Sequence, residues 1–253
     1  MNRVIRKILR ACRLYDAVVD LKKWLAGTEA EYVKFYSQFV SSGDICFDIG
    51  ANVGRRTGVF LKLGATVITV EPQDHCMALL RKKYGNNNKV VLVQKAVGDK
   101  QGQAEMMICD SHSLSSLSTK WIESVKASGR YSSCTWNRTV TVPVVTLDDL
   151  ISQHGKPAFM KIDVEGFEYE ALKGLSQPVS AACFEFTPEL MDSTLSCIDY
   201  LFGIGPAEFN YCLEDQPMTF VLPEWCPYLQ IRESLESLRN TGTVGDIYVR
   251  FGG

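Results

Sequence analysis

Apolar and polar positions change rhythm at residue 44. From there, short β-branched runs alternate with segments of helical period. Asp44–Asp48 reads as a buried strand and Val53–Leu63 as a helix; Thr66–Val70 and Asp74–Tyr84 repeat the pair. Val90–Val93 is a third strand, and Gln103–Cys109 with Val140–Val145 fits an antiparallel excursion. Ala158–Asp163 precedes a helix over Glu168–Gly174, and Ala181–Phe186 precedes a helix after Pro188. Glu208–Leu213 and Asp246–Phe251 supply the last two strands. This alternation predicts an α/β fold, a doubly wound and mostly parallel sheet with helices on both faces. Crossovers in such sheets are right-handed and ligands gather at the carboxyl ends of the strands. Functional residues are therefore expected just after each strand.

Before residue 44 the pattern is helical. Val4, Ile5, Ile8, Leu9, Cys12, Tyr15, Val18 and Val19 recur at three- and four-residue steps. Residues 1–25 hold seven basic and two acidic side chains, so the segment is +5 and the remaining chain −7. A helix packed on the main domain with its charges in water is preferred to a peripheral hold on an anionic membrane surface. No uninterrupted apolar run follows the charges, so the segment does not read as a secretory signal. A second helical stretch, Glu29–Val40, leads into the first strand. The expected division is an N-terminal helical arm, 1–43, and one domain, 44–253. Within that domain residues 110–139 break the rhythm, with nine serines interleaved with Trp121, Tyr131 and Trp136. They read as a long loop or partly helical insertion, acting as a lid or substrate element.

Composition narrows the function classes. A net charge of −2 over 253 residues argues against a protein that coats nucleic acid. No apolar run reaches the ~18 residues of a membrane span. The nine cysteines are never closer than 14 residues, so no CxxC or zinc-type pair exists. Cys46 and Cys183 sit in apolar runs and are expected as buried thiols in a reducing, cytoplasmic compartment. There the sequon Asn137-Arg138-Thr139 would go unused.

The strongest chemical signal is Phe47-Asp48-Ile49-Gly50-Ala51-Asn52-Val53-Gly54, with Val70-Glu71-Pro72 downstream. Gly50 lets the chain turn off the strand, Gly54 lets the next helix pack closely, and the helix amides can receive an anion. Glu71 ends the second strand, where an acid accepts both hydroxyls of a ribose. A pyrophosphate turn needs GxGxxG, whereas Asn52 stands where bare backbone would approach the pyrophosphate. Asp48 suits a cationic group. S-adenosylmethionine combines an amino group, a carboxylate, a sulfonium and a ribose, and matches this set. A nicotinamide-dependent oxidoreductase and a non-catalytic binding protein on the same fold are the alternatives.

A second cluster, Phe159 to Glu168, places Lys161, Asp163, Glu165 and Glu168 around a buried strand end. Charges there are costly unless paired or placed in a site. Asp163 or Glu165 can take a proton from a hydroxyl or orient it. Lys161 sets their charge or pairs structurally, and Glu168 is expected to face solvent. Glu185 ends the following strand. Acids after adjacent strands can hold a divalent ion, but without a nearby histidine or ligand-spaced repeat no metal is assigned.

These runs, with Thr146-Leu147-Asp148 and Gly245-Asp246-Ile247-Tyr248, resemble the FkbM-family methyltransferases, in order from about Tyr32 to Arg250. The resemblance implies a class I Rossmann-like methyltransferase fold, S-adenosylmethionine, and O-methylation of hydroxyls on sugars or natural products. It maps cofactor positions to Asp48, Gly50, Asn52, Gly54 and Glu71, and the acidic loop to Asp163 and Glu165. Arg55 and Arg56 depart from the family pattern, and the serine-rich segment matches it poorly. Ala96, Val97 and Asp99, after the third strand, are expected to border the adenine. Lys161, Asp163 and Glu165 form the expected catalytic group, and His112 is a lesser candidate base. The expected partner is a small-molecule or glycan acceptor.

Overall fold

The computed structural model describes residues 28–214 and 218–252. The amphipathic helix expected over residues 1–25 lies outside the described residues.

A first helix, α1 (Thr28–Tyr36), leads by a turn into β1 (Ile45–Ile49). Then follow α2 (Arg55–Lys62), β2 (Thr66–Val70), α3 (Asp74–Tyr84), β3 (Val90–Val93) and β4 (Ala96–Val97). Next come β5 (Gly102–Cys109), α4 (Thr119–Ala127), β6 (Trp136–Val145), α5 (Leu147–His154), β7 (Phe159–Ile162) and α6 (Glu168–Lys173). The chain closes with β8 (Ala181–Phe186), α7 (Met191–Ile204), β9 (Ala207–Leu213), α8 (Tyr228–Ser237) and β10 (Gly245–Phe251). Seven strands form the main sheet in the order β3-β2-β1-β7-β8-β10-β9. All neighbours are parallel except β10, which runs antiparallel to β8 and β9. The order reverses between β1 and β7, so the crevice opens beyond their carboxyl ends. β4, β6 and β5 form a small second sheet, and β5 with β6 is the expected antiparallel excursion.

Side chains alternate across a strand, and both faces of this sheet are covered. Phe47, Ile49, Met160, Ile162 and Phe184 pack on one face with Leu150, Leu172, Ile198 and Ile231 from α5 to α8. Cys46, Val67, Phe159, Cys183 and Tyr248 pack on the other with Phe35 and Tyr36 of α1 and Val59 and Phe60 of α2. Cys46 and Cys183 are buried free thiols. Parity then places Asp48 and Lys161, which are register partners, on the α1–α2 face. The same parity carries Glu185 and Asp246, also register partners, to that face. Among the described residues no helix is long and apolar enough to cross a membrane.

The serine-rich segment is packed rather than solvated. Trp121 is fully buried against Leu114, Ile122, Val125 and Trp136. Its serines close local bonds: the Ser118 side chain caps α4 by accepting from the Trp121 amide, and Ser115 Oγ accepts from the Cys109 amide. Trp136 Nε1 donates to the Leu114 carbonyl at 2.7 Å.

Candidate active site

The turn between β1 and α2 is built on backbone geometry. Gly50 has φ 75°, and a Cβ there would lie 1.8 Å from the Asp163 carbonyl oxygen, so only glycine fits. The Gly50 and Ala51 amides donate to the Val70 carbonyl at 2.9 and 3.0 Å, which ties the turn to the end of β2. Asn52 takes the left-handed conformation, φ 52°, and its amide donates to Glu71 Oε2 at 2.8 Å. The Gln73 amide donates to Glu71 Oε1 at 2.8 Å. Gly54 begins α2, and its carbonyl accepts from the Tyr84 hydroxyl at 2.9 Å.

Asp48 is buried. Its Oδ2 accepts from the amide and hydroxyl of Thr57, at 2.7 and 2.5 Å, and so satisfies a free amide of the first turn of α2. Burial pushes the Asp48 carboxyl up, and the two bonds from Thr57 oppose it. Burial likewise raises Glu71, opposed by the amides of Gln73 and Asn52. Both acids line a cavity of about 280 Å³ that runs over the strand tips. Gly50, Asn52, Ala96, Val97, Lys161, Asp163 and Glu165 line it too. Gly54, expected to hold the cofactor, is the cap of α2 and is not among the lining residues. Asp99 lies outside the lining, and its carboxylate faces Lys173 at 3.9 Å on the surface beyond β4. His112 lines the cavity beside Gln73, whose side chain donates to the His112 carbonyl at 3.0 Å.

Beyond β7 and β8 the charges meet side chain to side chain. Lys161 is 1 % exposed, with its Nζ 2.6 Å from Asp246 Oδ1 and 3.5 Å from Asp163 Oδ2. Burial disfavours its charge, but Asp163 and Asp246 outweigh that and hold the ammonium well above its ordinary range. Lys161 therefore stays protonated and acts as a counter-charge. The carboxylate oxygens of Asp163, Glu165 and Glu185 lie within 4.8 Å of one another. Burial first, then the neighbouring acids, pushes Glu165 and Glu185 well above the usual carboxylate range.

The loop carrying Glu165 is clamped from two sides. Glu165 has φ 54°, and its carbonyl accepts from Ser116 Oγ at 2.6 Å. Gly166 packs under Trp121, where a Cβ would come within 2.3 Å of the indole. Glu168, expected in solvent, is instead buried, and its Oε1 accepts from the amides of Val164 and Gly166. The first turn of α6 points it into the loop it closes, and burial pushes its carboxyl up to about 7.

A family model, the methyltransferase FkbM domain, matches residues 48–195, from Asp48 into α7. The chain belongs to the FkbM methyltransferase family. It is thus an S-adenosylmethionine-dependent methyltransferase, and the nicotinamide-dependent alternative falls away. Among solved structures this FkbM methyltransferase is similar to a precorrin-6Y C5,15-methyltransferase from Geobacter metallireducens GS-15. The identity is 10 %, 88 % of this chain and 87 % of that chain are covered, and the TM-score is 0.47. A SAM-dependent O-methyltransferase from Thermotoga maritima shares 10 % identity over 89 % and 65 % of the chains, with a TM-score of 0.41. The C-terminal domain of the Rhodobacter capsulatus precorrin-6Y enzyme shares 12 % over 87 % and 86 %, with a TM-score of 0.40. These likenesses say nothing of the acceptor. No curated protein sequence matches the chain.

The site suits the cofactor on its own terms. The glycine turn brings backbone to the cavity edge at β1, and Asp48, Glu71, Asp163 and Glu165 line a cavity of about 280 Å³. Sequence reasoning found these residues through the turn and the strand ends. It missed Asp246 as the partner of Lys161, because the pairing spans 85 residues and depends on β10 lying beside β8.

Proposed function

We propose that this methyltransferase transfers the methyl group to a hydroxyl oxygen of a sugar, glycan or natural-product acceptor. The observation that carries the reading is the facing of two unlike acid sets across one cavity. Asp48 and Glu71, fixed by backbone and hydroxyl donors, stand at the tips of β1 and β2; Asp163, Glu165 and Glu185 crowd the tips of β7 and β8.

S-adenosylmethionine, when bound, supplies a methyl group already activated by its sulfonium. The chain's part is to hold it, align an acceptor oxygen and take a proton. Glu71 is the receptor for the ribose hydroxyls, because each of its oxygens keeps a lone pair beyond the amide it accepts. Asp48 answers the amino group, and Ala96 and Val97 form the wall at the base. Glu165 is the general base. Burial and like charge raise its proton affinity toward that of a hydroxyl under attack, and Glu185 shares the proton it takes. Asp163, steadied by Lys161 at 3.5 Å, orients the hydroxyl.

The test is a transfer screen with methyl-labelled S-adenosylmethionine over monosaccharides, lipid-linked sugars and polyketide-type alcohols. Label on a hydroxyl oxygen, lost in Glu165→Gln, is the expected result. Label found only on nitrogen or carbon acceptors defeats the O-methyl reading.

A further inference from the structure

Arg56 is a cation that acts on Asp246 and Asp48 but forms no ion pair among the described residues. It is the second residue of α2, and α2 has no acid in its first turn. A positive side chain there sits at the positive end of the helix, which is unfavourable. Its guanidinium stacks 3.9 Å above the Tyr32 ring, and its Nε is buried with no hydrogen-bond partner. Among the described residues no carboxylate forms an ion pair with it. Asp246, one acid that acts on it, is held by Lys161 at 2.6 Å. Stacking on Tyr32 fixes the guanidinium plane and leaves its edge for a bidentate acceptor. Arg56 is one of the residues that line the cavity.

Elimination points to the anion. Lys161 is already paired twice, and Lys95 lies after β3, two strands from β1; Arg55 also lines the cavity, but it is exposed where Arg56 is half-buried and fixed by stacking. Glu71, Asp163 and Glu165 line other parts of the wall and would repel a negative group close to them. Arg56 also acts on Asp48 and lowers its proton affinity, so the cation and the acid are near neighbours. An adjacent anion receptor and cation receptor describe an α-amino acid, whose ammonium and carboxylate share one carbon.

We propose that Arg56 receives the α-carboxylate of S-adenosylmethionine, with Asp48 beside it for the α-ammonium. The proposal rests on the cofactor reading above and adds a charged side chain to the amides of the turn. The amino-acid end then contributes to affinity through Arg56 as well as through those amides.

The experiment is calorimetry on the full chain with two ligands. S-adenosylhomocysteine carries the amino-acid end, and 5′-methylthioadenosine keeps the nucleoside and sulfur without it. Arg56→Gln should weaken S-adenosylhomocysteine by roughly 10- to 100-fold while 5′-methylthioadenosine changes less than about two-fold. Arg56→Lys should recover part of the loss. Equal losses for both ligands would make Arg56 a scaffold residue, and no loss for S-adenosylhomocysteine would place the carboxylate elsewhere; either overturns the proposal. A second measurement needs no variant: the wild type should bind S-adenosylmethionine at least about ten-fold more tightly than its decarboxylated form, and equal affinity overturns the proposal. A wild type that binds neither nucleoside defeats the cofactor reading itself, an outcome distinct from the other failures.

Discussion

At the tips of β1 and β2, Asp48 and Glu71 give their oxygens to backbone amides and one hydroxyl. At the tips of β7 and β8, Asp163, Glu165 and Glu185 face one another and Lys161. The first arrangement is rigid, since main-chain donors cannot turn away without undoing the turn itself. The second is labile in charge, since crowded carboxyls exchange protons at little geometric expense. On the proposed function, one side recognises a constant ligand and the other manages a proton. The two sides meet through backbone: the Asp163 amide donates to the Ile49 carbonyl at 3.0 Å, and Gly50 packs against the Asp163 carbonyl.

The largest effect should come from breaking that contact. Gly50→Ala forces a Cβ into the Asp163 carbonyl at positive φ, and should lower stability by ~3 kcal/mol or more and abolish cofactor binding, as read by urea unfolding and calorimetry. Next, Glu165→Gln should slow turnover by roughly 10²- to 10⁴-fold with cofactor affinity nearly kept. In the wild type the rate should climb as pH rises above the ordinary carboxylate range, because Glu165 and Glu185 hold their protons longer. A flat pH profile would break the contrast between the two sides. Glu71→Ala should show the converse, a loss of roughly 10- to 100-fold in cofactor affinity. Equal damage to binding from Glu71→Ala and Glu165→Gln would erase the division of roles.

The smallest effect on function comes from Glu168, which acts on stability. The folded Glu168 carboxyl titrates at about 7, above its unfolded value of 4.5. The folded state therefore binds the extra proton, and stability present below the unfolded value falls as pH rises through about 7. Wild-type stability should drop by up to ~3 kcal/mol between acid and mildly alkaline pH, and Glu168→Gln should flatten that slope. Urea midpoints across this range check it.

The sheet was legible because its strands are short, β-branched and separated by helices of clear period. Thr66–Val70, Val90–Val93 and Ala181–Phe186 match the expected spans, and β1 and β7 shift by one residue at their ends. Two helices escaped notice, and a third was foreseen only as a partly helical insertion, for physical reasons. In α4 the Ser118 cap sits inside a serine run that resembles a loop. In α5 eight residues bury only Leu147, Leu150 and Ile151, although the Thr146–Asp149 capping box announces it. In α8 only Ile231 and Leu235 are buried. At the site, the turn and Glu71 were readable because their contacts lie within about twenty residues. The Lys161–Asp246 pair and the stacking of Arg56 on Tyr32 were not, since each depends on elements brought together by the sheet.

Ser116 and Trp121 secure the loop that bears Glu165, so the serine-rich segment and residues 163–167 form one mechanical unit. Chimeras meant to change acceptor range by trading the segment alone would misplace the carboxyl proposed as general base as well. Segment and loop must travel together.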